Sequence, residues 1–133
     1  MENILISNNA DFTFSKSERL CNKKLFDKLF EKGTSFLVYP LKIIFTEEEH
    51  NSDYPVQAAF AVSRKLFPKA VTRNLIKRRM REAYRLNKHN LYSLIGDKKL
   101  VLIIIYISKE IIGYHHIENS MQQAINIIAK KVS

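Results

Sequence analysis

The chain has few of the residues that mark specialised classes of protein. Its 133 residues include one cysteine, Cys21, which excludes an internal disulfide and gives no sign of a disulfide-stapled scaffold. Three glycines, at positions 33, 96 and 113, cannot form a glycine-rich phosphate loop. The longest apolar run, residues 100–107, is far shorter than the ~20 residues of a membrane-spanning helix. Because the first residues also lack the pattern of a signal peptide, we expect a cytoplasmic protein.

Metal-binding and catalytic motifs are also missing. The cysteine and the four histidines follow no metal-ligand spacing: Cys21, His50, His89, His115 and His116. Three consecutive acids, Glu47–Glu49, are typical of a solvated loop, and no motif supports the paired carboxylates of a two-metal nuclease. We therefore interpret the protein alone as a binder and not a catalyst, with no metal or cofactor of its own.

Positive charge is concentrated in one stretch of the chain. Residues 64–88 hold ten lysines and arginines but one acid, Glu82, whereas the basic and acidic side chains elsewhere cancel. The formal charge of +9 thus lies within these 25 residues. Concentrating like charges is unfavourable unless a polyanion relieves the repulsion. The stretch predicts a surface that binds RNA or DNA. The alternative is a solvated charged face, although such faces usually mix both signs.

The same stretch has the pattern of a helix with two different faces. Residues 69 to about 87 contain no glycine or proline, and Pro68 suits the start of a helix. At about 100° per residue, an apolar stripe is formed by Ile76, Met80, Ala83 and Tyr84. A neighbouring basic face is formed by Arg73, Lys77, Arg78, Arg81, Arg85 and Lys88, with Asn74 inside it. Only Arg79 lies well off this face.

The rest of the chain predicts one domain, residues 15–133, after a flexible arm, residues 1–14. A helix is expected at about 22–32, with Asn22 as N-cap and Gly33 as the residue after its end. Extended segments at 34–46, broken at Pro40, and at 56–63 precede the basic helix. The β-branched run at 100–107 predicts a central strand, and a last amphipathic helix follows Gly113. The fold class is α/β (α+β) in the order α-β-β-β-α-β-α, with a sheet of three or four strands.

The basic stretch and the segment before it resemble the protein subunit of bacterial ribonuclease P. That family has a strand ending in V-S-(K/R)-K, followed by A-V-x-R-N-x-x-K-R-x-x-R. The corresponding residues here are Val62, Ser63, Arg64, Lys65, Ala70, Val71, Arg73, Asn74, Lys77, Arg78 and Arg81. The N-terminal part also resembles the family, at Phe14, Ser15, Lys16, Arg19, Leu20, Phe26, Phe30, Gly33, Thr34 and Ser35.

Two departures from the family pattern stand out. Leu75 replaces the second arginine of the family's usual R-N-R, and it lies on the far shoulder of the helix from the basic face. The approach to the helix, residues 66–69, is one residue longer than usual and lacks the family glycine. These differences affect the path of the backbone from Ser63 to Val71.

The resemblance implies a two-layer α/β sandwich with a left-handed βαβ crossover around the basic helix. It also implies that an RNA subunit is the catalyst and cuts the 5′ leader from precursor tRNA with Mg²⁺ held mainly by that RNA. The expected partners are ribonuclease P RNA, in a 1:1 complex, and precursor tRNA. RNA contacts are expected from the basic helix (Arg73, Asn74, Lys77, Arg78, Arg81, Arg85) and from the strand end (Ser63, Arg64, Lys65). A cleft beside the first helix is expected to hold the single-stranded leader, with Phe26, Phe30, Arg19 and Lys42.

Two alternatives remain at this stage. A phenylalanine pair at i,i+4 is more often core than cleft when judged by spacing alone. A plain RNA- or DNA-binding module, such as a ribosomal protein, satisfies the charge pattern equally well. A major-groove reader is less suited, because a face of almost only arginine and lysine binds phosphates without specifying bases.

Overall fold

The computed structural model describes residues 14–132, so residues 1–13 of the expected arm lie outside the described residues. The α-helices of the described part are α1 (Lys23–Lys32), α2 (Ala70–Ile95) and α3 (Tyr114–Val132). The strands are β1 (Thr34–Val38), β2 (Leu41–Glu47), β3 (Val56–Val62) and β4 (Leu100–Tyr106). A 3-10 turn, Lys16–Glu18, precedes α1. The predicted fold class and element order are confirmed.

The strands form one sheet in the order β1-β2-β4-β3. β2 pairs antiparallel with β1 on one side and with β4 on the other. β3 and β4 pair in parallel and are connected through α2. β4 lies between β2 and β3 and is buried along both faces, which explains its continuous β-branched run. The left-handed crossover that the resemblance implies stays a prediction.

One face of the sheet packs against α2 and α3. The predicted stripe of α2 (Ile76, Met80, Ala83, Tyr84) is buried there, as is the corresponding stripe of α3 (Ile117, Met121, Ile125, Ile128). Alternate residues of the strands complete this core, for example Leu41, Ile43 and Phe45 of β2. These layers are the predicted sandwich, and they place the opposite side of α2 at the surface.

The other face of the sheet is partly covered by α1. Leu25 and Leu29 pack against Val101 and Ile103 in a second, smaller apolar cluster. Asn22 caps α1 as predicted, since its side chain accepts the N–H groups of residues 24 and 25 at 2.9 and 3.3 Å.

Three boundaries differ from the sequence-based expectation. α2 begins at Ala70, so Pro68 precedes the N-cap, Lys69. The same helix continues to Ile95, because its apolar stripe continues through Leu91. Phe14, which the sequence pattern places in the arm, packs edge-on against Phe60 and Tyr84 with ring centroids 5.6 and 5.8 Å apart.

Gly33 has a different role from the one expected. Its φ of −70° and ψ of 151° are extended, so it does not end α1 in the left-handed conformation. A Cβ atom at this position would lie 2.3 Å from the carbonyl oxygen of Leu29 and 2.8 Å from the Cγ2 atom of Ile44. Glycine is therefore required by the close approach of α1 to β2.

Candidate RNA-binding site

The α2 ridge, as we call Arg73, Asn74, Lys77, Arg78, Arg81 and Arg85, lies on the side of α2 that faces away from the core. Asn74, Arg78 and Arg81 are exposed, and the other three residues are half-buried. In the described part of the chain, Lys77, Arg78 and Arg81 form no ion pair with a carboxylate. Their charges are therefore available to an external anion.

Two arginines of the α2 ridge also make contacts within the protein. The guanidinium of Arg73 donates to the carbonyl oxygens of Phe67 and Pro68 at 2.9 and 2.8 Å. Arg85 pairs with Glu82, the acid of the basic stretch. Arg73 thus holds the approach to α2 in addition to presenting charge.

Lys88, which the helical pattern places on the basic face, is fully buried and does not belong to the α2 ridge. Its ammonium donates to both carboxylate oxygens of Glu18, at 2.7 and 2.6 Å. The burial follows from position, because Lys88 is four residues after Tyr84 and three before Leu91 on the apolar stripe. This spacing is the signal in the sequence that the expectation overlooked. Arg79 lies off the ridge as expected, and its guanidinium donates to the carbonyl oxygen of Ile112 at 2.8 Å.

The end of β3 supplies a second set of cations. The Ser63 hydroxyl accepts the N–H groups of Lys65 and Leu66 at 3.1 and 3.4 Å, which fixes a turn and leaves Arg64 and Lys65 exposed. Phe67 closes the longer approach, since its N–H donates to Ser63 and its ring is buried against Tyr106. The altered approach is therefore a compact, anchored turn.

The face of the sheet beside α1 has a row of partly open positions. Strand pairing places Leu37, Lys42, Ile105 and Ala61 side by side across all four strands on the face that α1 partly covers. Leu37 is 63% exposed and the other three residues are half-buried. The row offers an apolar floor with one cation, Lys42.

The two phenylalanines of α1 lie on this same side of the sheet. Phe26 is half-buried and packs against the cluster beneath α1, whereas Phe30 is 59% exposed. An exposed aromatic ring on the helix that partly covers an apolar sheet face is a surface on which an unpaired base can stack. The structure thus places Phe26, Phe30 and Lys42 on one face.

Arg19, which we expect in the same cleft, lines one hollow beside the start of α1 and another at the edge of β3. It bridges to Ala58 on the outer edge of β3 and lines a groove of about 300 Å³ together with Lys77 and Arg81. The structure therefore places Arg19 in a groove with two cations of the α2 ridge. This juxtaposition depends on a pairing between residues 19 and 58, for which the local sequence gives no signal.

The described residues contain neither a cluster of metal-ligating side chains nor a helix suited to a membrane. Across residues 14–132, no three histidine, cysteine or acidic side chains come together in a way that would hold a metal ion. None of the helices within that range is long and apolar enough to span a membrane.

These features define the class of protein. It is a small α/β domain with a cationic helix face, a cationic strand end and a partly open aromatic face beside α1. Phosphate groups are the natural ligands of lysines and arginines grouped on a surface.

Comparisons with known proteins assign the family. The Ribonuclease P family profile matches residues 14–130. The ribonuclease P protein component of Porphyromonas gingivalis is 36% identical over 126 residues, covering 92% of this chain and 91% of that relative. The RNase P protein of Staphylococcus aureus superposes with a TM-score of 0.64 at 27% identity, covering 89% of this chain and 100% of that one. The protein from Thermotoga maritima, at 24% identity, shares the fold with a TM-score of 0.65 over 83% of this chain and 96% of its own. The chain belongs to the ribonuclease P protein family, the protein components of an endoribonuclease.

Proposed function

We propose that this chain binds the catalytic RNA of ribonuclease P and the single-stranded 5′ leader of precursor tRNA, and so assists removal of the leader. The observation that carries the proposal is the α2 ridge, with Lys77, Arg78 and Arg81 unpaired within the described residues, on a chain of this family.

The α2 ridge and the strand end are suited to the RNA backbone. Arginine and lysine bind phosphates through charge-assisted hydrogen bonds, and each neutralised phosphate releases counterions. Cations on one rigid helix hold a fixed spacing, which favours a folded RNA of matching shape over a flexible polyanion. We therefore assign the α2 ridge and Arg64–Lys65 to the catalytic RNA.

The face beside α1 is suited to the leader. A single strand exposes unstacked bases, and stacking on an aromatic side chain contributes about 1–3 kcal/mol per base. Phe30 offers the exposed ring, and Lys42 offers a cation for the adjacent backbone. We assign Phe26, Phe30 and Lys42 to this contact.

The protein's part in the reaction is positioning. We expect Mg²⁺ to be held mainly by the RNA subunit, where it supplies the chemistry of phosphodiester hydrolysis, and a 1:1 ribonucleoprotein to act in the cytoplasm. By holding the leader, the protein raises the affinity for precursor tRNA relative to mature tRNA. This difference favours substrate binding and product release.

Reconstitution tests the proposal. Cleavage of precursor tRNA by a bacterial ribonuclease P RNA at low Mg²⁺ is measured with and without this protein. The proposal predicts faster cleavage with the protein and none by the protein alone. Salt-dependent RNA binding without faster cleavage would support a plain RNA-binding module such as a ribosomal protein.

A further inference from the structure

We infer that Arg19, Lys77 and Arg81 bind one stretch of RNA backbone in a groove along the outer edge of β3, and that the buried Glu18–Lys88 ion pair sets the position of Arg19. The identity of the RNA rests on the proposed function, whereas the groove and the ion pair do not.

The groove, which we call the β3-edge groove, lies between α2 and the segment before α1. Lys77 and Arg81 line one side, Arg19 and Cys21 line the other, and Phe60 contributes from β3. No acid occurs among the described residues that line it. Three cations facing one hollow without a carboxylate favour a phosphodiester ligand.

The groove continues past the start of α1. A neighbouring hollow of about 440 Å³ shares Arg19 and Cys21 with the first and adds the cations Lys16, Lys24 and Lys28. One acid, Glu49, also lines this second hollow. Arg19 thus stands where two basic hollows meet, so a single RNA strand lying in both would pass directly over it.

Next to Arg19 in the chain, Glu18 forms a buried ion pair with Lys88. Both side chains are almost fully buried, and their ion pair joins the 3-10 turn to α2 across 70 residues of sequence. The rings of Tyr54 and Tyr92 lie 5.7 and 6.0 Å from the Lys88 ammonium. A charge in such a site is tolerated only while its partner stays in place, so the pair holds the turn firmly against α2.

The chain is fixed on both sides of Arg19. Glu18 is held by Lys88, and the N–H of Leu20 donates to the carbonyl oxygen of Ala58 at 3.0 Å. A three-residue 3-10 turn has little stability of its own, so these anchors determine where Arg19 points. Because Lys88 is on the same helix as Lys77 and Arg81, the pair also fixes the spacing between Arg19 and those cations. Glu18 and Lys88 are therefore positioning residues.

Cys21 gives a direct test of the groove, because it is the only cysteine of the chain, is exposed and lines both hollows. The rate of its modification by N-ethylmaleimide is measured for the wild-type protein alone, with saturating ribonuclease P RNA, and with that RNA plus precursor tRNA. We expect RNA to slow the modification severalfold. Slowing by ribonuclease P RNA alone assigns the groove to the catalytic RNA, and slowing only with precursor tRNA assigns it to the substrate. An unchanged rate in both mixtures would refute the proposal that RNA binds in the β3-edge groove.

A double-mutant cycle tests the ion pair. Arg19→Ala should weaken binding of ribonuclease P RNA about five- to tenfold and lower the salt slope by about 0.7–0.9. Glu18→Gln should have a similar effect alone and no further effect in the Arg19→Ala background, because it acts through Arg19. Equal weakening in both backgrounds overturns the positioning role. The reversed pair, Glu18→Lys with Lys88→Glu, should recover most of the affinity.

Two further variants keep the test decisive. Asp97→Asn removes the same charge as Glu18→Gln at an exposed site after α2, and it should leave the RNA affinity unchanged. If Glu18→Gln does not fold, the cycle is repeated with Glu18→Asp, which keeps the buried charge and shortens its reach. Faster cleavage of precursor tRNA without protection of Cys21 would refute RNA binding in the β3-edge groove and leave the proposed function intact.

Discussion

At the scale of single residues, variants of the two phenylalanines of α1 distinguish a role in RNA binding from a role in packing. Phe26 packs against the cluster beneath α1, so removing its ring costs core contacts as well as any base contact. Phe30 is 59% exposed, so its ring is available to a ligand at little cost to the fold.

We predict that Phe30→Ala weakens binding of leader-containing precursor tRNA by about 1–3 kcal/mol and leaves the melting temperature nearly unchanged. Phe26→Ala should lower both the affinity for precursor tRNA and the melting temperature. Affinities for precursor and mature tRNA, with thermal melts, test this. Leu94→Ala, an equally simple truncation of a 49% exposed residue on α2, is the control and should change neither. Equal affinities of wild type and Phe30→Ala for the precursor would contradict the assignment.

Gly33 provides a test of the packing between α1 and β2. We predict that Gly33→Ala lowers the free energy of unfolding by about 1–3 kcal/mol, because its Cβ would overlap a backbone oxygen that cannot move independently. Gly113→Ala, whose Cβ would meet nothing within 4 Å, is the matched control. Urea denaturation measures both, and equal stabilities of the two variants would refute the close approach.

Residues that depend on distant partners were the hardest to predict. The spacing of Lys88 from Tyr84 and Leu91 indicates its burial, but its partner, Glu18, lies 70 residues away in the sequence. Arg19 was expected with Lys42, but its pairing with Ala58 places it beside Lys77 and Arg81. Charge and periodicity describe single elements, whereas the pairings of Lys88 with Glu18 and of Arg19 with Ala58 depend on how elements meet.

At the scale of elements, β4 and α3 were predictable because their local patterns have no competing interpretation. A β-branched run bounded by polar residues indicates a buried strand, and apolar residues at helical spacing after Gly113 indicate an amphipathic helix. The end of α2 was less predictable, since residues 88–95 mix polar and apolar side chains. Packing of Leu91 and Ile95 against the core extends the helix there.

The α2 ridge predicts a specific salt dependence. Lys77→Ala and Arg78→Ala should each weaken RNA binding. Each should also make the negative slope of log K against log salt shallower by about 0.7–0.9. Arg73→Ala should do the same and also destabilise the protein, because it loses two hydrogen bonds to the approach. Lys109→Ala, an exposed cation away from the ridge, is the control. Unchanged slopes for both Lys77→Ala and Arg78→Ala would rule out phosphate contact by the ridge.

The loop between β2 and β3 predicts a pH dependence of stability. The N–H of Ser52 donates to Nδ1 of His50, while Nε2 lies 3.3 Å from the carbonyl oxygen of Pro55, which fixes the neutral ring. Burial, with a smaller effect of the Lys99 charge, lowers the pKa of His50 below 6.5. The unfolded chain therefore binds more protons just below pH 6.5, and stability should fall as the pH drops below that value.

Urea denaturation at pH 7.5 and pH 5.5 measures this effect. His50→Gln should lose less stability than the wild type between the two pH values, because its side chain does not titrate. A wild type and a variant with the same pH dependence would show that His50 does not contribute.

At the scale of the whole molecule, charge and aromatic groups lie on different surfaces. The net charge of +9 comes from residues 64–88. Most of the cations in this stretch lie on the outward side of α2 or in the approach to that helix. The aromatic face lies on the other side of the sheet, beside α1. This separation suits a protein that holds a structured RNA with one surface and a single strand with another.

The most direct test of this account compares precursor tRNAs with long and short 5′ leaders in the reconstituted enzyme at low Mg²⁺. The account predicts that the protein accelerates cleavage of the long-leader substrate more than that of a substrate with a one-nucleotide leader. It also predicts that Phe30→Ala removes this difference but not the general stimulation. Equal acceleration of both substrates by the wild-type protein would contradict the claim that this chain holds the leader.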